Sequence, residues 1–584
     1  MGAQTVSWLF ILLLISDIMT ATAISFDYVV VGGGTCGLVL ANRLSEDPNI
    51  TVAVIEPGED VRNNPNVTDP GNFVVAFDTP IDWSYPSTTQ ASAANRSFTF
   101  HSGKAIGGTS TINGMTYIRA DAAEIDAWEA LGNEGWNWST LLPYYKQTER
   151  FTTPTKEQTD VGANFEPEYH GKHGDLHVGF RYALPNGSFH GLVQETWEGL
   201  GYHVNPEVNS GETRGFDVWP MTIDRDSDLR WDSARAYFSP VEHRNNLFLL
   251  KGTALNLELD AGIVGGTKKA TSLRYVDGSN NTIIVGVNKE VILSAGALRT
   301  PLLLEMSGIG NPQILGDIGV DTVIDLPGVG ENLQEQPNSN LIFEGSLNVT
   351  GYATYATFAN AEDLFGSEKL EISDEVSANI TAYAESAASR SRGGLNTSAL
   401  EHIFRIQHEL IFTKNVTVGE TITAYYSGSL LTAWWCLLPF SRGSVHLASL
   451  DAFDSPLIDP QYFVADIDMA TQVAIGKQAQ SFWHKNPIAA YIGRNLTADP
   501  GSEEEWANYI TNSFEPNYHP IGTASMMSRE LGGVVDAKLK VYGTSNVRVV
   551  DASVIPLQVS GHLTATLYAI AERASEIIKA SESS

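Results

Sequence analysis

The first clear pattern along the chain is a strand, a glycine-rich turn and a helix. Residues 26–31 (FDYVVV) form an apolar run typical of a buried strand, and residues 32–37 (GGGTCG) form the turn. An apolar helical stretch continues to Leu44, and a second apolar run at 50–55 ends at Glu56. This order predicts a strand–helix–strand unit, with which α/β folds are built.

The residue types in this unit are those of a dinucleotide site. Gly32 permits a tight turn, Gly34 lets the backbone approach a pyrophosphate, and Gly37 lets the helix pack closely on the strand. The helix N-terminus, where Thr35 lies, offers free N–H groups and a positive dipole end. The carboxylate of Glu56 can accept hydrogen bonds from ribose hydroxyls. NAD and FAD both remain open, whereas Glu56 disfavours the 2′-phosphate of NADP.

Two later stretches differ from this pattern. Residues 345–421 are rich in Ala, Ser and Glu with broken helical spacing, and they predict an outer lobe. Residues 422–435, interrupted only at Gly428, are rich in β-branched and aromatic side chains and predict strand structure.

The N-terminal pattern predicts an exported protein. A short apolar run in residues 1–16 is broken at Asp17 and followed by Ala21-Thr22-Ala23, so residues 1–23 are predicted to be a signal peptide, with an N-terminal anchor as the alternative. No later segment reaches the ~20 apolar residues that span a bilayer. Export agrees with the Asn-X-Ser/Thr acceptors for glycans at Asn49, Asn66, Asn95, Asn137, Asn186, Asn280, Asn348, Asn379, Asn396, Asn415 and Asn495.

Length and charge narrow the range of functions. A chain of 584 residues is too long for one compact core and predicts two or more lobes. Its formal net charge of −32 argues against nucleic acid or an anionic membrane surface as a partner. Only two cysteines occur, Cys36 and Cys436, and we expect no disulfide between them. The spacing His170-X-X-His173 and His177 lies in a glycine-rich loop and does not predict a metal site.

Several separated motifs carry a resemblance to a known family. They are residues 32–37, 103–114 (GKAIGGTSTING), 296–310 (GALRTPLLLEMSGIG), 82–85 (DWSY), 437–443 (LLPFSRG) and the closing stretch 517–579. Taken singly, the second is an ordinary glycine-rich turn and the third a capped helix. Taken together, they resemble the glucose-methanol-choline (GMC) oxidoreductase family over essentially the whole mature chain, with the secreted fungal glucose oxidases and FAD-dependent glucose dehydrogenases as the most similar branch.

The resemblance implies a fold and its boundaries. We expect an α/β, Rossmann-like FAD-binding domain together with an α+β substrate domain of sheet and helices. The FAD-binding domain is predicted to be discontinuous, at residues 25–60, 96–150, 225–335 and 525–584, with a lid loop at 61–95. The substrate-binding domain is predicted at residues 151–224 and 336–524.

The resemblance also implies the cofactor and its contacts. The cofactor would be FAD, bound noncovalently, because covalently flavinylated relatives carry His directly before the motif asparagine, where this chain has Ile112. The predicted FAD-binding residues are Gly32, Gly34, Thr35, Gly37 and Glu56 for the ADP part, Gly108, Thr109, Asn113 and Thr116 for the flavin and its linker, Leu255 for adenine, and Asp551 and Ala552 for the pyrophosphate and ribityl side.

Two histidines match the catalytic positions of the family. His519 is predicted to be the base that takes the hydroxyl proton of an alcohol, and His562 to hydrogen-bond the same oxygen, although these two roles could be exchanged. Imidazole suits this task because its ordinary pKa lies near neutral pH.

Two departures from the glucose-active pattern shape the substrate prediction. Those relatives carry Arg where this chain has Glu515, and the dehydrogenases carry an acidic residue where it has Ala433, followed by Trp434 and Trp435. Loss of polar partners is costly for polyol binding, so we expect a small neutral alcohol other than glucose, such as an aryl alcohol or a secondary metabolite, bound in a pocket of Ala433, Trp434 and Trp435.

Several alternatives remain open. They are a sugar dehydrogenase or oxidase, a non-redox lyase or cyclase of the same fold, and an inactive FAD-holding partner protein. The electron acceptor is expected to be dioxygen or a quinone-like molecule, and the protein a secreted monomer or homodimer.

Overall fold

Two β-sheets organise the chain. The computed structural model describes residues 24–582 apart from 182, 185–186, 263–265, 353 and 427. The predicted signal peptide and the glycan acceptor Asn186 therefore lie outside the described residues. Within this part of the chain, no helix is both long and apolar enough to cross a membrane.

The described strands range from two to thirteen residues. In chain order they are β1 Ser25–Val31, β2 Val52–Glu56, β3 Tyr85–Pro86, β4 Thr99–Phe100, β5 Glu149–Thr152, β6 Leu176–Gly179, β7 Gly215–Val218, β8 Ile223–Asp224, β9 Leu229–Arg230, β10 Leu247–Leu259, β11 Ala270–Asp277, β12 Thr282–Leu293, β13 Ile309–Gly310, β14 Ile324–Asp325, β15 Pro337–Gly345, β16 Tyr355–Asn360, β17 Thr417–Tyr426, β18 Ser429–Cys436, β19 Ser444–His446, β20 Leu457–Asp459, β21 Ile492–Asn495, β22 Glu515–Pro516 and β23 Val547–Val549.

The helices are spread along the whole chain. They are α1 Thr35–Leu44, α2 Pro65–Thr68, α3 Ala122–Ala130, α4 Trp138–Thr148, α5 Lys156–Thr159, α6 Phe189–Gly199, α7 Thr300–Met306, α8 Pro312–Asp317, α9 Ala361–Phe365, α10 Lys369–Arg390, α11 Thr397–His408, α12 Asp466–His484, α13 Glu503–Ser513 and α14 Leu563–Glu582. A 3-10 helix at Pro70–Ala76 lies in the predicted lid.

The first sheet has a parallel core. β1 pairs in parallel with β2 and β12, β2 with β10, and β12 with β23, so five neighbouring strands run the same way. The far ends of β10 and β12 pair with β11 in an antiparallel meander. Strands buried on both faces read as continuous apolar runs, which is why β1 was readable in the sequence. The predicted α/β architecture is confirmed.

The carboxyl ends of these parallel strands come together at one edge. The register pairs Val31 with Ile55 and with Leu293, Leu250 with Ile55, and Leu293 with Val549. The residues that follow these strand ends therefore share one edge, and in open α/β sheets that edge is where ligands bind.

The second sheet is antiparallel, in the order β21-β15-β18-β17-β16-β7, with β22 also paired to β15. The stretch predicted as strand at 422–435 is a hairpin of β17 and β18 that turns at Gly428, where φ is +85°. Helices α10 and α11 contribute to the core on one face, and α12 contributes to the core on the other. The predicted second domain of sheet and helices is confirmed, while its boundaries stay a prediction.

Buried charges join the loops between these layers. His170 lies between Glu149 and Glu207, with its Nδ1 2.9 Å from one carboxylate and its Nε2 2.8 Å from the other, and Arg119 pairs with Glu149 at 3.1 Å. Both ring nitrogens of His170 are therefore engaged by carboxylates in a structural ion network.

A second histidine joins α7 to the loop before β15. His446 at the end of β19 lies with Nδ1 2.6 Å from Glu305 and with Nε2 3.3 Å from Glu331. Burial opposes the protonated form, but the hydrogen bonds and charges of the two carboxylates outweigh it and raise the pKa of His446 to about 10. The imidazolium therefore separates two buried carboxylates.

Replacement of His446 by Gln should destabilise the protein in a pH-dependent way. Removing one partner from a buried ion pair costs about 3 kcal/mol. Because the pKa of His446 is raised from 6.5 to about 10, its contribution is complete below the lower value and is lost as the pH rises through the upper one. The melting temperature of the variant should therefore lie well below that of the parent at neutral pH and approach it toward the upper value.

The matched control is His484→Gln, because His484 is exposed at the end of α12. It should melt with the parent throughout. If the difference in melting temperature between the parent and His446→Gln stays constant from neutral pH to about pH 10, the positive charge assigned to His446 is wrong.

Candidate active site

The first glycine-rich turn is held by close backbone contacts. Gly32 has φ +104°, and a Cβ there would lie 2.4 Å from the carbonyl oxygen of Ser294. A Cβ at Gly37 would lie 2.0 Å from the carbonyl oxygen of Gly32. Only glycine fits at either position, so the turn packs against the end of β12 and the start of α1 as the sequence predicts for Gly32 and Gly37.

The second glycine-rich loop lies directly on the first. The N–H of Gly107 donates to the carbonyl of Gly33 at 2.7 Å. Gly108 has φ +54°, and a Cβ there would lie 2.6 Å from the Cα of Gly34. A Cβ at Gly34 itself would meet only the Cα of Gly108, at 3.7 Å. Gly34 therefore faces open space on its Cβ side, between the two loops.

Glu56 fixes the turn through its carboxylate. One oxygen accepts the N–H of Gly33 at 2.9 Å and the other accepts the N–H of Gly58 at 2.7 Å. Burial raises the pKa of Glu56 to about 7, against the opposing effect of these two hydrogen bonds. Each oxygen keeps a further lone pair, which is what the predicted ribose contact requires.

Asp551 ties together the ends of two parallel strands. Its Oδ2 accepts the N–H of Gly296 at 2.9 Å and the hydroxyl of Thr300 at 2.5 Å, while its Oδ1 accepts the N–H of Ser553 at 2.8 Å. Gly296 has φ +83° and open space where a Cβ would be. The structure thus gives Asp551 a structural role at the strand edge, next to Ala552, which begins a 3-10 turn.

Asn113 joins the second loop to the last helix. It donates to the hydroxyl of Thr564 at 3.1 Å and accepts from Arg230 at 2.7 Å. Arg230 also donates to the carbonyls of Val67 and Ser110, and its burial lowers its pKa to about 10. No local pattern could have identified Arg230, because its partners lie more than 100 residues away in the chain.

Four predicted cofactor residues remain to be located in the fold. Thr109 accepts the N–H of Gly103 at 3.1 Å, and Thr116 forms a β-bridge with Met221. Leu255 lies on β10 where the register with β11 shifts, so it sits at a bulge. Thr35 begins α1.

The edge of the first sheet fits FAD. Open space adjoins the glycine backbone at Gly34, Gly114 and Gly296, where a Cβ would meet nothing closer than 3.7 Å. The hydroxyl of Ser294 is buried there without a hydrogen-bond partner among the described residues. A groove of glycine backbone with the N-terminus of α1 at one side suits a pyrophosphate.

The first histidine is held in one tautomer by amides. Nδ1 of His519 lies 2.8 Å from the Oε1 of Gln336, and the Nε2 of Gln336 donates to the carbonyl of Leu437 at 3.0 Å. The amide oxygen can only accept, so Nδ1 carries the proton. The side-chain nitrogen of Asn517 also lies 3.1 Å from Nδ1 of His519. Its N–H group can donate to the Oε1 of Gln336 at 3.2 Å, so it does not require Nδ1 as an acceptor.

This arrangement leaves Nε2 of His519 as a proton acceptor. No described residue hydrogen-bonds to Nε2. Burial lowers the pKa of His519 well below its ordinary value of 6.5, and the neighbouring His562 lowers it further. His519 is therefore a neutral imidazole at neutral pH.

The second histidine is held by a buried carboxylate. Nε2 of His562 lies 3.1 Å from the Oε1 of Glu420, and its backbone N–H donates to the carbonyl of Ile118 at 3.1 Å. Burial raises the pKa of Glu420, while His562 opposes that rise. The rings of His519 and His562 lie 5.2 Å apart at 86°. The two predicted catalytic residues thus form one site, in which no described residue hydrogen-bonds to Nδ1 of His562.

Glu420 is a site residue that the sequence analysis missed. It is an acidic residue within the apolar strand β17, and it is completely buried. A buried charged residue needs a partner, so this acid was the one available signal. Its register partner is Trp435 on β18, whose ring lies 6.0 Å from that of His562.

One row of the second sheet supports both histidines. Glu420 lies opposite Trp435, Trp435 opposite Asn338, and Asn338 opposite Glu515. The side-chain amide of Asn338 donates to the Oδ1 of Asn517 at 2.9 Å. The support of His562 and the support of His519 are therefore neighbours on one face of the sheet.

The predicted pocket of Ala433, Trp434 and Trp435 needs correction. Successive side chains of a strand point to opposite faces. The indole N–H of Trp434 donates to the carbonyl of Gln472 on α12 at 3.0 Å, on the face away from the histidines. Only Ala433 and Trp435 share the histidine face, so Trp434 is a core residue.

Glu515 is already paired. Its carboxylate lies 2.7 Å from the guanidinium of Arg96, and its side chain is 57% exposed. Arg96 also donates to the carbonyl of Phe514 at 2.8 Å. The carboxylate that replaces the arginine of sugar-active relatives is therefore directed to a surface ion pair.

The predicted lid contacts the loop of the first histidine through aromatic rings. Phe77 stacks on His101 at 4.0 Å and meets the edge of Tyr518 at 5.6 Å. Nδ1 of His101 is 2.5 Å from the carboxylate of Asp82. Because Tyr518 precedes His519, the lid lies beside the catalytic pair.

Comparison with known proteins agrees with this site. The family model described as GMC oxidoreductase matches residues 26–338 with its N-terminal part and 439–571 with its C-terminal part. The chain is 51% identical over 560 residues to a glucose oxidase-like protein of Humicola fuscoatra, covering 95% of each chain. It is 34% identical to a glucose oxidase of Aspergillus carbonarius, covering 97% of this chain and 94% of that one.

A solved structure also aligns over nearly the whole chain. It is a fungal aryl-alcohol oxidase, which superposes with a TM-score of 0.86 at 26% identity and covers 96% of this chain and 100% of that one.

Replacement of Gly34 by Ala should weaken FAD binding without unfolding the protein. The added methyl would clash with nothing in the chain, since its nearest neighbour is 3.7 Å away, but it would project into the space between the two glycine loops. We expect binding of FAD to weaken by about tenfold or more, because the backbone approach to the pyrophosphate is lost. The ratio of FAD to purified protein, measured by absorbance, checks this.

The matched control is Gly191→Ala on α6, where a Cβ would have no neighbour within 4 Å. It should retain a full complement of FAD. Equal FAD content in both variants would show that Gly34 does not approach the cofactor.

Proposed function

The chain belongs to the GMC oxidoreductase family, and we propose that it is a secreted, FAD-dependent enzyme that oxidises a small, largely apolar alcohol to a carbonyl compound. The observation that carries this proposal is the neutral imidazole of His519: its Nδ1–H donates to Gln336, no described residue hydrogen-bonds to its Nε2, and its ring lies 5.2 Å from that of His562. Proteins of this family bind FAD, and the glycine-lined groove fits it.

Oxidation of an alcohol removes a hydride from carbon and a proton from oxygen. Bound FAD supplies the hydride acceptor. Nε2 of His519 accepts the hydroxyl proton, and the amide of Gln336 keeps the Nδ1 proton in place while this happens. Nδ1 of His562 hydrogen-bonds the same oxygen, with the ring fixed by Glu420. Fixing the oxygen between two imidazoles orients the carbinol carbon and lowers the entropy cost of the reaction.

The residues around the pair favour an apolar substrate. Trp435 lies against His562, and Ala433 follows on the same face of β18. Ala433 has no polar group, and Glu515 is held by Arg96 at the surface. The two residues that differ from the sugar-active pattern therefore offer no polar partner to a polyol. The similarity to an aryl-alcohol oxidase fits this proposal, whereas the similarity to glucose oxidases keeps a sugar oxidase as the second candidate.

Secretion and glycosylation belong to the same proposal. The described acceptors at Asn49, Asn95, Asn280, Asn348 and Asn396 are exposed. The electron acceptor would be dioxygen or a quinone-like molecule.

An anaerobic substrate panel tests the proposed function. Benzyl-type alcohols should bleach the yellow holoenzyme, and glucose should do so with an efficiency at least about tenfold lower, because Ala433 offers no polar group and Glu515 is paired with Arg96. Rapid mixing followed at the flavin absorbance measures both. Readmission of air, and separately of a quinone, then identifies the acceptor.

Two results of this panel would overturn the proposal. Bleaching by glucose as fast as by any other alcohol would establish the sugar oxidase. Conversion of an alcohol or its derivative without bleaching would establish the non-redox alternative.

The pH dependence of the bleaching rate should report a base with an unusually low pKa. Because the pKa of His519 lies well below 6.5, the imidazole stays neutral down to that pH, so the rate should remain level there and fall only in more acidic solution. His519→Gln should lower the rate by about 10²- to 10⁴-fold at every pH while FAD content is unchanged.

The matched control for this variant is His243→Gln, which removes an exposed imidazole. It should keep the parent profile. A rate that falls with a midpoint above 6.5, or one that survives in His519→Gln, would exclude His519 as the base.

A further inference from the structure

The face of the second sheet that carries the histidine supports continues away from them. On β15, Asn338 donates to Asn517 at the site, and the hydroxyl of Ser339 accepts from Gln472 on α12 at 3.1 Å, on the opposite face. Because successive side chains of a strand alternate between the two faces, Asn340 lies on the same face as Asn338 and the histidines. It is two residues further along β15 than Asn338.

Asn340 belongs to a second row across the same face. It lies opposite Ala433 on β18, and Ala433 lies opposite Ile422 on β17. This row is parallel to the row of Glu420, Trp435 and Asn338, at two residues along each strand, which is about 7 Å. We call the three residues Asn340, Ala433 and Ile422 the outer row.

The outer row is more exposed than the inner row of Glu420, Trp435 and Asn338. Trp435 is 2% exposed, Glu420 is 0% exposed and Asn338 is half-buried, whereas all three residues of the outer row are half-buried. Ala433 and Ile422 offer an apolar surface on which a ring can lie. The sheet face thus leads from the buried histidine supports outward.

Asn340 brings an unengaged amide to this apolar surface. Its backbone carbonyl accepts the hydroxyl of Tyr509 at 2.6 Å. Among the described residues, none hydrogen-bonds to its side-chain oxygen or nitrogen. The side chain therefore offers one acceptor and one donor group to a ligand that lies on Ala433 and Ile422.

We propose that Asn340 is a specificity-determining residue, and that the substrate is an alcohol with an aromatic body over Ala433 and Ile422 and a second hydrogen-bonding group at the end far from the carbinol. The inference rests on the proposed function and narrows its substrate class. A hydrogen bond of this kind is worth roughly five- to tenfold in affinity.

The experiment compares two alcohols that differ only at the far end. They are 4-hydroxybenzyl alcohol and 4-methylbenzyl alcohol, titrated by calorimetry into FAD-loaded protein that carries His519→Gln, so that no turnover consumes them. The variant is Asn340→Ala in that background, and the matched control is Asn512→Ala, which removes a surface amide on α13. FAD content and melting temperature establish that each variant is folded.

The FAD-loaded His519→Gln protein should bind 4-hydroxybenzyl alcohol roughly five- to tenfold more tightly than 4-methylbenzyl alcohol. Asn340→Ala should bring the two within about twofold by weakening the hydroxyl compound alone, while Asn512→Ala keeps the preference. With His519 restored, Asn340→Ala should raise the alcohol concentration for half-maximal bleaching without changing the limiting rate, which separates a binding contact from structural damage.

Three results would overturn the inference. They are a preference that survives Asn340→Ala, equal weakening of both compounds, and no binding of either alcohol. Because the titration measures binding without oxidation, these results are distinct from failure of the proposed function, which would appear as alcohols that bind but never bleach the parent enzyme.

Discussion

The chemistry of the site depends on which nitrogen of His519 carries a proton. Three amides decide this: Asn338 orients Asn517, Asn517 donates to Gln336, and Gln336 accepts from Nδ1. Asn517 and Gln336 are hydrogen-bonded at both ends of the amide, and the second bond of Gln336 is its donation to the carbonyl of Leu437. An imidazole fixed by neutral amides gains no charge that would favour its protonated form, whereas burial disfavours that form. The amides thereby leave Nε2 without a proton, as the proposed role of His519 as a base requires.

The two imidazoles are supported by groups of different charge, which separates their roles. His519 has neutral amides at Nδ1, while His562 has a carboxyl group at Nε2. A carboxylate stabilises a positive imidazole and a neutral amide does less. This difference supports the proposed roles, in which His519 accepts the proton and His562 binds the same oxygen, whereas the sequence alone left the two roles exchangeable.

The sequence predicted those parts of the molecule that depend on residues close to one another in the chain. The strand, turn and helix from residue 26 to Leu44 are one continuous signal, and Gly32 and Gly37 have the close contacts that their positions imply. The family resemblance added the histidine pair, and the structure brings His519 and His562 together. The contact between Gly34 and Gly108 was beyond local spacing, because it joins loops about seventy residues apart, but both glycines were already in the predicted set.

What the sequence could not supply was the pairing between distant strands. Glu420, Gln336 and Asn338 act through register and side-chain direction, and neither is visible until β15, β17 and β18 are aligned. The error on Trp434 has the same origin, since neighbours in sequence lie on opposite faces of a strand. Asn340 and Ala433 were separated by more than ninety residues in the chain and are opposite one another in the sheet.

The buried carboxyl groups around the site bear on the charge of the substrate. Glu420 lies against His562, and Glu335 accepts the backbone N–H of His519 at 3.1 Å. Burial raises the pKa of Glu335 to about 8, against three backbone hydrogen bonds that lower it. An anionic substrate would enter next to these groups and raise their pKa values further, so that its own binding would require proton uptake. A neutral alcohol carries no such cost, and in the proposed reaction the proton taken by His519 would lie beside two carboxyl groups, so these groups favour a neutral substrate over an anionic one.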